Sequence, residues 1–304
     1  MLTPVSDRPL HRSLRVVGLA VLLACCSLVR AEATTYQFRV SIPGTVGTCT
    51  IGSSASVSYT TPGTYKLTVP ACATSASVVV NGAAGGAGEN YSNTVGGSGA
   101  SISGSFPVSA GGTLYVVVGE GGGADGIGPY GGSGGGGGLS GIFNGTPGAS
   151  TAIVVAGGGG GGSMPEYDTG SITDGGNAGA NPTPPADAGG TLGNTGGAGF
   201  GGGGGTNGGS IGNNGSPFGA GGAEQASYAG GGGYGGGGGG GDYWGGGGGG
   251  GGLPGGQGGS AYAGGQGGTD YIGPQVTDAV TSTGPSDSVN AAGANGSVTI
   301  DFTN

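Results

Sequence analysis

The chain has 304 residues, of which 90 are glycine, and its formal net charge is −9. A collagen triple helix requires a strict Gly-X-Y period, and the uninterrupted glycines at 245–252 break that period. All six basic residues lie at or before Lys66. The rest of the chain therefore has no cation to hold a phosphate backbone, which excludes nucleic acid as a partner.

The first 33 residues have the pattern of a secretory signal. Three arginines precede an apolar run at 16–29, and Ala-Glu-Ala at 31–33 fits a cleavage site of small residues. The apolar run is shorter than the roughly 20 residues that a membrane span needs. We therefore expect cleavage after Ala33 and a secreted or cell-surface chain with no membrane span. Lipoprotein processing at Cys25, with attachment to an outer membrane, is the alternative.

Few residues of the exported chain could take part in covalent or metal chemistry. Only Cys49 and Cys72 remain after cleavage, and His11, the single histidine, is removed. Two cysteines in an exported protein favour one disulfide, which would stabilise the fold by about 3 kcal/mol; two free thiols are the alternative. Without a histidine base or a well-placed lysine, we expect neither an enzyme nor a cofactor.

The exported chain has the periodicity of β-strands and lacks helical periodicity. Apolar and polar residues alternate in three stretches, as in half-buried strands. Three short apolar runs bounded by glycine are typical of strands buried on both faces. We therefore predict an all-β, sandwich-like scaffold, with alternating strands at 36–42, 64–70 and 296–302 and apolar strands at 75–82, 113–119 and 151–157.

A glycine-rich block separates the last predicted strand from the others. A polyproline-II helix has three residues per turn and rises about 3.1 Å per residue, with every backbone polar group pointing sideways. Glycine allows such helices to approach closely enough to pair. We therefore predict a layer of packed polyglycine-II helices. The resulting organisation is a signal (1–33), a β-rich part (34–156), the glycine layer (157–268) and a C-terminal segment that closes the scaffold (269–304).

Aromatic and acidic residues within the glycine block are the candidate site residues. Flat aromatic side chains on rigid supports are common at binding hot spots, although the same rings could serve as wedges between glycine helices. The candidates for ligand contact are Tyr228, Tyr234, Tyr243, Trp244 and Tyr262. A weaker candidate is a calcium site formed by the carboxylates Glu166, Asp168 and Asp174; a solvated acidic loop is the alternative.

Four stretches of the chain resemble the glycine-rich domain family, which includes the glycine-rich region of the anaplastic lymphoma kinase receptor ectodomain and some phage tail-tip adhesins. These stretches are TPGTYKLTVPACATSASVVVNGAAGGAG (61–88), GGSGASISGSFPVSAGGTLYVVVGEGGG (96–123), STAIVVAGGGGGG (150–162) and ANGSVTIDF (294–302). The resemblance implies a β-scaffold that supports hexagonally packed polyglycine-II helices, with variable loops at the helix ends that carry binding specificity. It implies no catalytic role.

These features together predict a non-enzymatic, adhesin-like protein that recognises a surface glycan or an envelope protein through aromatic loop tips. One alternative is a structural matrix, filament or coat protein that self-associates through its glycine layers. Another is an ice-binding protein that uses a flat polyglycine-II face.

Overall fold

The structure is a computed structural model. It describes residues 55–88, 94–124, 132–163, 174–180, 201–202, 204–205, 213–216, 218, 221–222, 232–241, 245–288 and 291–304. The predicted signal and the predicted strand at 36–42 lie outside the described residues.

Within the described ranges, ten strands form two antiparallel sheets of five strands each. Sheet A has the order β1 (Ala55–Tyr59), β10 (Ser297–Thr303), β3 (Ser75–Asn81), β4 (Ala100–Pro107) and β9 (Thr277–Thr283). Sheet B has the order β2 (Gly63–Thr68), β5 (Thr113–Val118), β6 (Ser140–Phe143), β7 (Ala152–Ala156) and β8 (Tyr271–Ile272). The only helical element of the described residues is a short 3₁₀ turn at Ala149–Thr151. The predicted all-β, sandwich-like scaffold is confirmed.

The main core lies between the two sheets. Alternate residues of β10 are buried, and β10 pairs with β3 in a register that places Val298 opposite Val80 and Ile300 opposite Val78. These side chains pack in one cluster with Val116 and other residues of sheet B. Alternation of apolar and polar residues fits these strands because one face of sheet A packs against sheet B and the other does not.

The central strands of sheet B, β5 to β7, are buried on both faces. Val117 and Phe143 on the second face of this sheet belong to a smaller core cluster, and Phe218 and Tyr234 pack against that cluster. This explains the continuous apolar sequences of β5 and β7. The same expectation was wrong for β3, because Val79 points to the outer face of sheet A and is 42% exposed.

Strands of both sheets continue directly into glycine-rich segments that pack beside one another. We call this packed body the glycine array. It extends beyond the glycine block at 157–268, because glycine segments that precede and follow other strands also belong to it. Its segments are 82–88, 94–99, 119–124, 132–138, 157–163, 174–179, 201–202, 204–205, 232–241, 245–252, 255–259, 263–268 and 291–296.

Candidate functional site

The amides of segment 157–163 donate hydrogen bonds to three different neighbouring segments in rotation. The donor–acceptor distances are 2.7–2.9 Å, and every third amide returns to the same neighbour. Gly158 and Gly161 donate to Gly251 and Gly248, Gly159 and Gly162 donate to Ala83 and Gly86, and Gly160 donates to Gly176.

The carbonyls of the same segment accept hydrogen bonds from three further segments with the same period. Gly157 and Gly160 accept from Ala100 and Gly97, Gly158 and Gly161 accept from Gly268 and Gly265, and Gly159 and Gly162 accept from Gly137 and Gly134. Segment 157–163 thus has six hydrogen-bonded neighbours. A period of three in both donors and acceptors is what a backbone with three residues per turn would produce.

Glycine is required here by the closeness of the neighbouring backbones. A Cβ added to Gly159 would overlap the carbonyl oxygen of Gly97, and one added to Gly160 would overlap the carbonyl oxygen of Gly265. The array is therefore packed backbone against backbone.

Several array segments end together on the side away from the sheets, and we call this region the distal end. Gly88 lies beside Thr94 and Ser163. The hydroxyl groups of Ser133 and Ser163 both donate to the carbonyl of Gly245, the latter at 2.8 Å. Thr94, Ser133 and Ser163 are fully buried. Non-glycine residues are accommodated at this end because their hydroxyl groups bond to the array or to each other.

Two carboxylates hold adjacent amides at the distal end. Oδ1 of Asp174 accepts the amide of Val95 at 3.0 Å, and Oδ2 of Asp287 accepts the amide of Gly96 at 2.8 Å. The pKa of Asp287 is raised to about 7, mainly by burial and to a smaller extent by the nearby charge of Asp174, against the lowering effect of the Gly96 amide.

The structure describes one of the three carboxylates of the predicted calcium site. Asp174 already accepts a backbone amide, and Glu166 and Asp168 lie outside the described residues. No group of three or more histidine, cysteine or acidic residues that could hold a metal occurs in the part of the chain that the structure describes. The calcium site stays a prediction.

A third carboxylate holds the array where it meets sheet B. Oδ1 of Asp270 accepts the amide of Gly157 at 2.9 Å, whereas its Oδ2 is buried without a hydrogen-bond partner. Burial raises the pKa of Asp270 to about 6, against the lowering effect of the Gly157 amide. Uncharged asparagine side chains accept array amides in the same way. Asn177 accepts the amide of Ser98, and Asn295 accepts that of Gly121.

The aromatic candidates have different positions. The hydroxyl of Tyr234 lies 2.9 Å from Oγ1 of Thr64 on β2, and its ring packs against the smaller core cluster, so Tyr234 joins the array to sheet B. Tyr262 lies on a turn with a φ of +61°. This turn adjoins the distal end, because Gly247 donates to the carbonyl of Ala263. Tyr228, Tyr243 and Trp244 lie outside the described residues.

The connections that follow or precede residues of the distal end contain tyrosines that the sequence analysis did not select. Residues 89–93, 125–131 and 164–173 connect array segments whose described ends lie there, and residues 242–244 directly precede Gly245. All four connections lie outside the described residues. Each contains aromatic residues, namely Tyr91, Tyr130, Tyr167 and the pair Tyr243 and Trp244. The available signal was a tyrosine in each short insert between glycine runs.

A cavity of about 230 Å³ opens at the opposite end of the sandwich. Its lining includes Val69, Phe106, Leu114 and Ile153, and no titratable side chain contributes to it. The cavity therefore offers no group for acid–base chemistry.

The disulfide between Cys49 and Cys72 stays a prediction, because Cys49 lies outside the described residues. Among the described residues, none forms a helix with the length and apolar character needed to cross a bilayer. No protein-family model matches the chain, and no curated protein matches it either.

Proposed function

We propose that this protein is a non-enzymatic, exported recognition protein in which the glycine array holds aromatic loops for binding to a surface glycan or an envelope protein. The observation that carries the proposal is the convergence of array segments at the distal end. Four aromatic-bearing connections start or finish at residues that contact one another there. Several aromatic side chains held near one another could form a single contact surface.

A rigid support is the second part of the proposal. We infer that the array segments are polyglycine-II helices, because donors and acceptors both rotate with a period of three. Binding through loops on a rigid body loses less conformational entropy than binding through a flexible chain. The resemblance to the glycine-rich domain family supports the same arrangement, and the predicted signal supports export.

The structural alternative, self-association through glycine layers, would have to use segments other than 157–163. The amides of Gly157 to Gly162 all donate within the protein, to Asp270 or to other array residues. These groups are therefore not available to a second glycine layer.

The proposal is tested with the exported chain on a glycan array and on isolated cell envelopes. One variant carries Tyr243→Ala with Trp244→Ala, and a second carries Tyr91→Ser, Tyr130→Ser and Tyr167→Ser. The control is Tyr271→Ala, which removes a half-buried tyrosine from β8, far from the distal end. Loss of a hot-spot aromatic costs about 2 kcal/mol, which corresponds to a roughly 30-fold weaker affinity.

We expect at least one loop variant to lose binding by about that factor while its urea unfolding stays like that of the unchanged chain. The control should bind normally. Normal binding by both folded loop variants would contradict the proposal. Sedimentation of the same samples as large assemblies, with no surface binding at all, would favour the structural alternative.

A further inference from the structure

β9 is an edge strand with exposed backbone groups. Of the strands that the structure describes, it pairs only with β4, and all seven of its residues are exposed. The amide of Gly284 donates towards β4, to the carbonyl of Gly99. Because backbone polar groups point to alternate sides along a strand, those of Thr281 and Thr283 point away from β4. No described strand pairs with that side of β9.

The other sheet edges among the described residues are protected or shorter. β1, the second edge of sheet A, has five residues against seven in β9, and its Val57 and Tyr59 are half-buried. β2 carries Lys66, the one cation of the described part of the chain, and an edge lysine is a common device against strand pairing. β8 has only two residues. β9 has seven residues without lysine, arginine or proline. Its protective features are the charge of Asp278 and a bulge beside it, after which Val280 to Thr283 pair regularly with β4.

The sequence of β9 is compatible with antiparallel pairing to itself. A two-fold axis at Val280, Thr281 or Ser282 would place Asp278 opposite Ser282, Gly284 or Ser286 of the second copy, since residues equidistant from the axis face each other. None of these registers places Asp278 against its own copy. The strand therefore has no like-charge repulsion of the kind that opposes self-pairing.

Val280 would add side-chain contacts to this strand pairing. It is 61% exposed on the outer face of sheet A, in the cross-strand row that also contains Ser103 and Val79. With the axis at Val280 or Thr281, the two copies of Val280 lie directly opposite or diagonally across the new strand pair, within the reach of cross-strand contacts. With the axis at Ser282 they are four residues apart and do not meet. Burial of an exposed apolar side chain then adds to the backbone hydrogen bonds.

We propose that two copies of the chain associate through antiparallel pairing of their β9 strands. The pairing joins two A sheets into one ten-stranded sheet and removes its most exposed edge. Two-fold self-pairing of this kind closes after two copies and gives a dimer rather than a filament. The inference does not depend on the proposed recognition function.

The test is sedimentation equilibrium of the exported chain over a wide concentration range. Val280→Lys places a charge on the edge strand, and Thr281→Pro removes an amide that points away from β4. The matched control is Val79→Lys, because Val79 is exposed in the same cross-strand row but lies on the central strand β3. Urea unfolding of each variant reports whether the fold is kept.

We expect the unchanged chain and Val79→Lys to form dimers with dissociation constants within twofold of each other. Val280→Lys should weaken the dimer at least tenfold, and its unfolding midpoint should be unchanged at concentrations where every variant is monomeric. Thr281→Pro should do the same. A chain that stays monomeric at every concentration would overturn the proposal. Equal weakening by Val79→Lys and Val280→Lys would also overturn it, since that result indicates association through the sheet face.

Discussion

Replacement of Gly160 by alanine is the sharpest test of whether the glycine array is a packed body. The amide of Gly160 donates to Gly176 at 2.9 Å, and its carbonyl accepts from Gly97 at 2.7 Å, so its backbone is held on two sides. A Cβ at this position would overlap the carbonyl oxygen of Gly265. Neither backbone can move away without disturbing hydrogen bonds to further segments.

The expected loss of stability has two contributions. Overpacking of a well-packed interior costs about 1 to 3 kcal/mol. The displaced carbonyl of Gly265 accepts the amide of Gly176 at 2.8 Å, and leaving such a buried group unpaired costs about 1 to 3 kcal/mol more. The total of about 2 to 6 kcal/mol is a large part of the roughly 5 to 15 kcal/mol that stabilises a typical domain.

The measurement is urea unfolding, with Gly148→Ala as the matched control. Gly148 has an extended backbone with a φ of −176°, and the nearest atom to an added Cβ is Oγ1 of Thr151 at 3.7 Å. Alanine fits there without strain, so we expect the free energy of unfolding to stay the same or rise by about 0.4 to 1 kcal/mol. If Gly160→Ala were as stable as the control, segment 157–163 would not be packed as described.

Three further predictions follow from the hydrogen bonds of the array. The pKa values of Asp270 and Asp287 in the folded protein, about 6 and about 7, lie above the ordinary value of 3.8. The folded state therefore binds these protons more tightly than the unfolded state does. The two carboxyl groups thus make the protein less stable as pH rises from about 4 to 7. The urea midpoint should therefore fall between pH 5 and pH 8, and Asp270→Asn with Asp287→Asn should flatten that fall; a midpoint that rises in the unchanged chain contradicts the assignment. Ser133→Ala with Ser163→Ala removes both hydroxyl donors to the Gly245 carbonyl, which should cost about 1 to 3 kcal/mol on unfolding, and an unchanged midpoint would show that water replaces both. Amide hydrogen exchange should be slow throughout the described array and limited by global unfolding, whereas exchange at the rate of an unstructured chain would identify the glycine segments as spacers.

Much of the scaffold could be predicted from the sequence because its strands carry a recognisable apolar pattern. Strands such as β10 and β5 coincide with predicted strands to within one or two residues. β4 was missed because serine and glycine separate its buried residues Ile102 and Phe106. β9 was missed because it is exposed along its whole length and shows no burial pattern.

A packed glycine layer could be predicted from the sequence, but the segments that form it could not. Glycine content indicates that backbones can approach closely, but it does not indicate which segments do so. Segments 82–88 and 132–138 precede the long glycine block, yet their hydrogen bonds place them against segment 157–163. Their membership follows from the sandwich. Segment 132–138 precedes β6, which pairs with β7, the strand that leads into segment 157–163, and segment 82–88 follows β3 of the facing sheet. Likewise, the tyrosines of the connecting residues could be recognised as candidates only after the described segment ends were seen to converge.

The acidic composition of the chain also follows from the array. A buried amide without a partner is less well tolerated than a carbonyl with one lone pair unused, so a body made of backbone has more need of extra acceptors than of extra donors. Aspartate and asparagine supply acceptors, whereas lysine and arginine would add only donors. Asp174, Asp270 and Asp287 each accept an array amide in this way. Burial of the carboxylates has a cost, visible in the raised pKa values of Asp270 and Asp287. The excess of 15 acidic over 6 basic residues is thus partly a requirement of the fold, and a change of these aspartates to lysine should destabilise the array more than a change to asparagine.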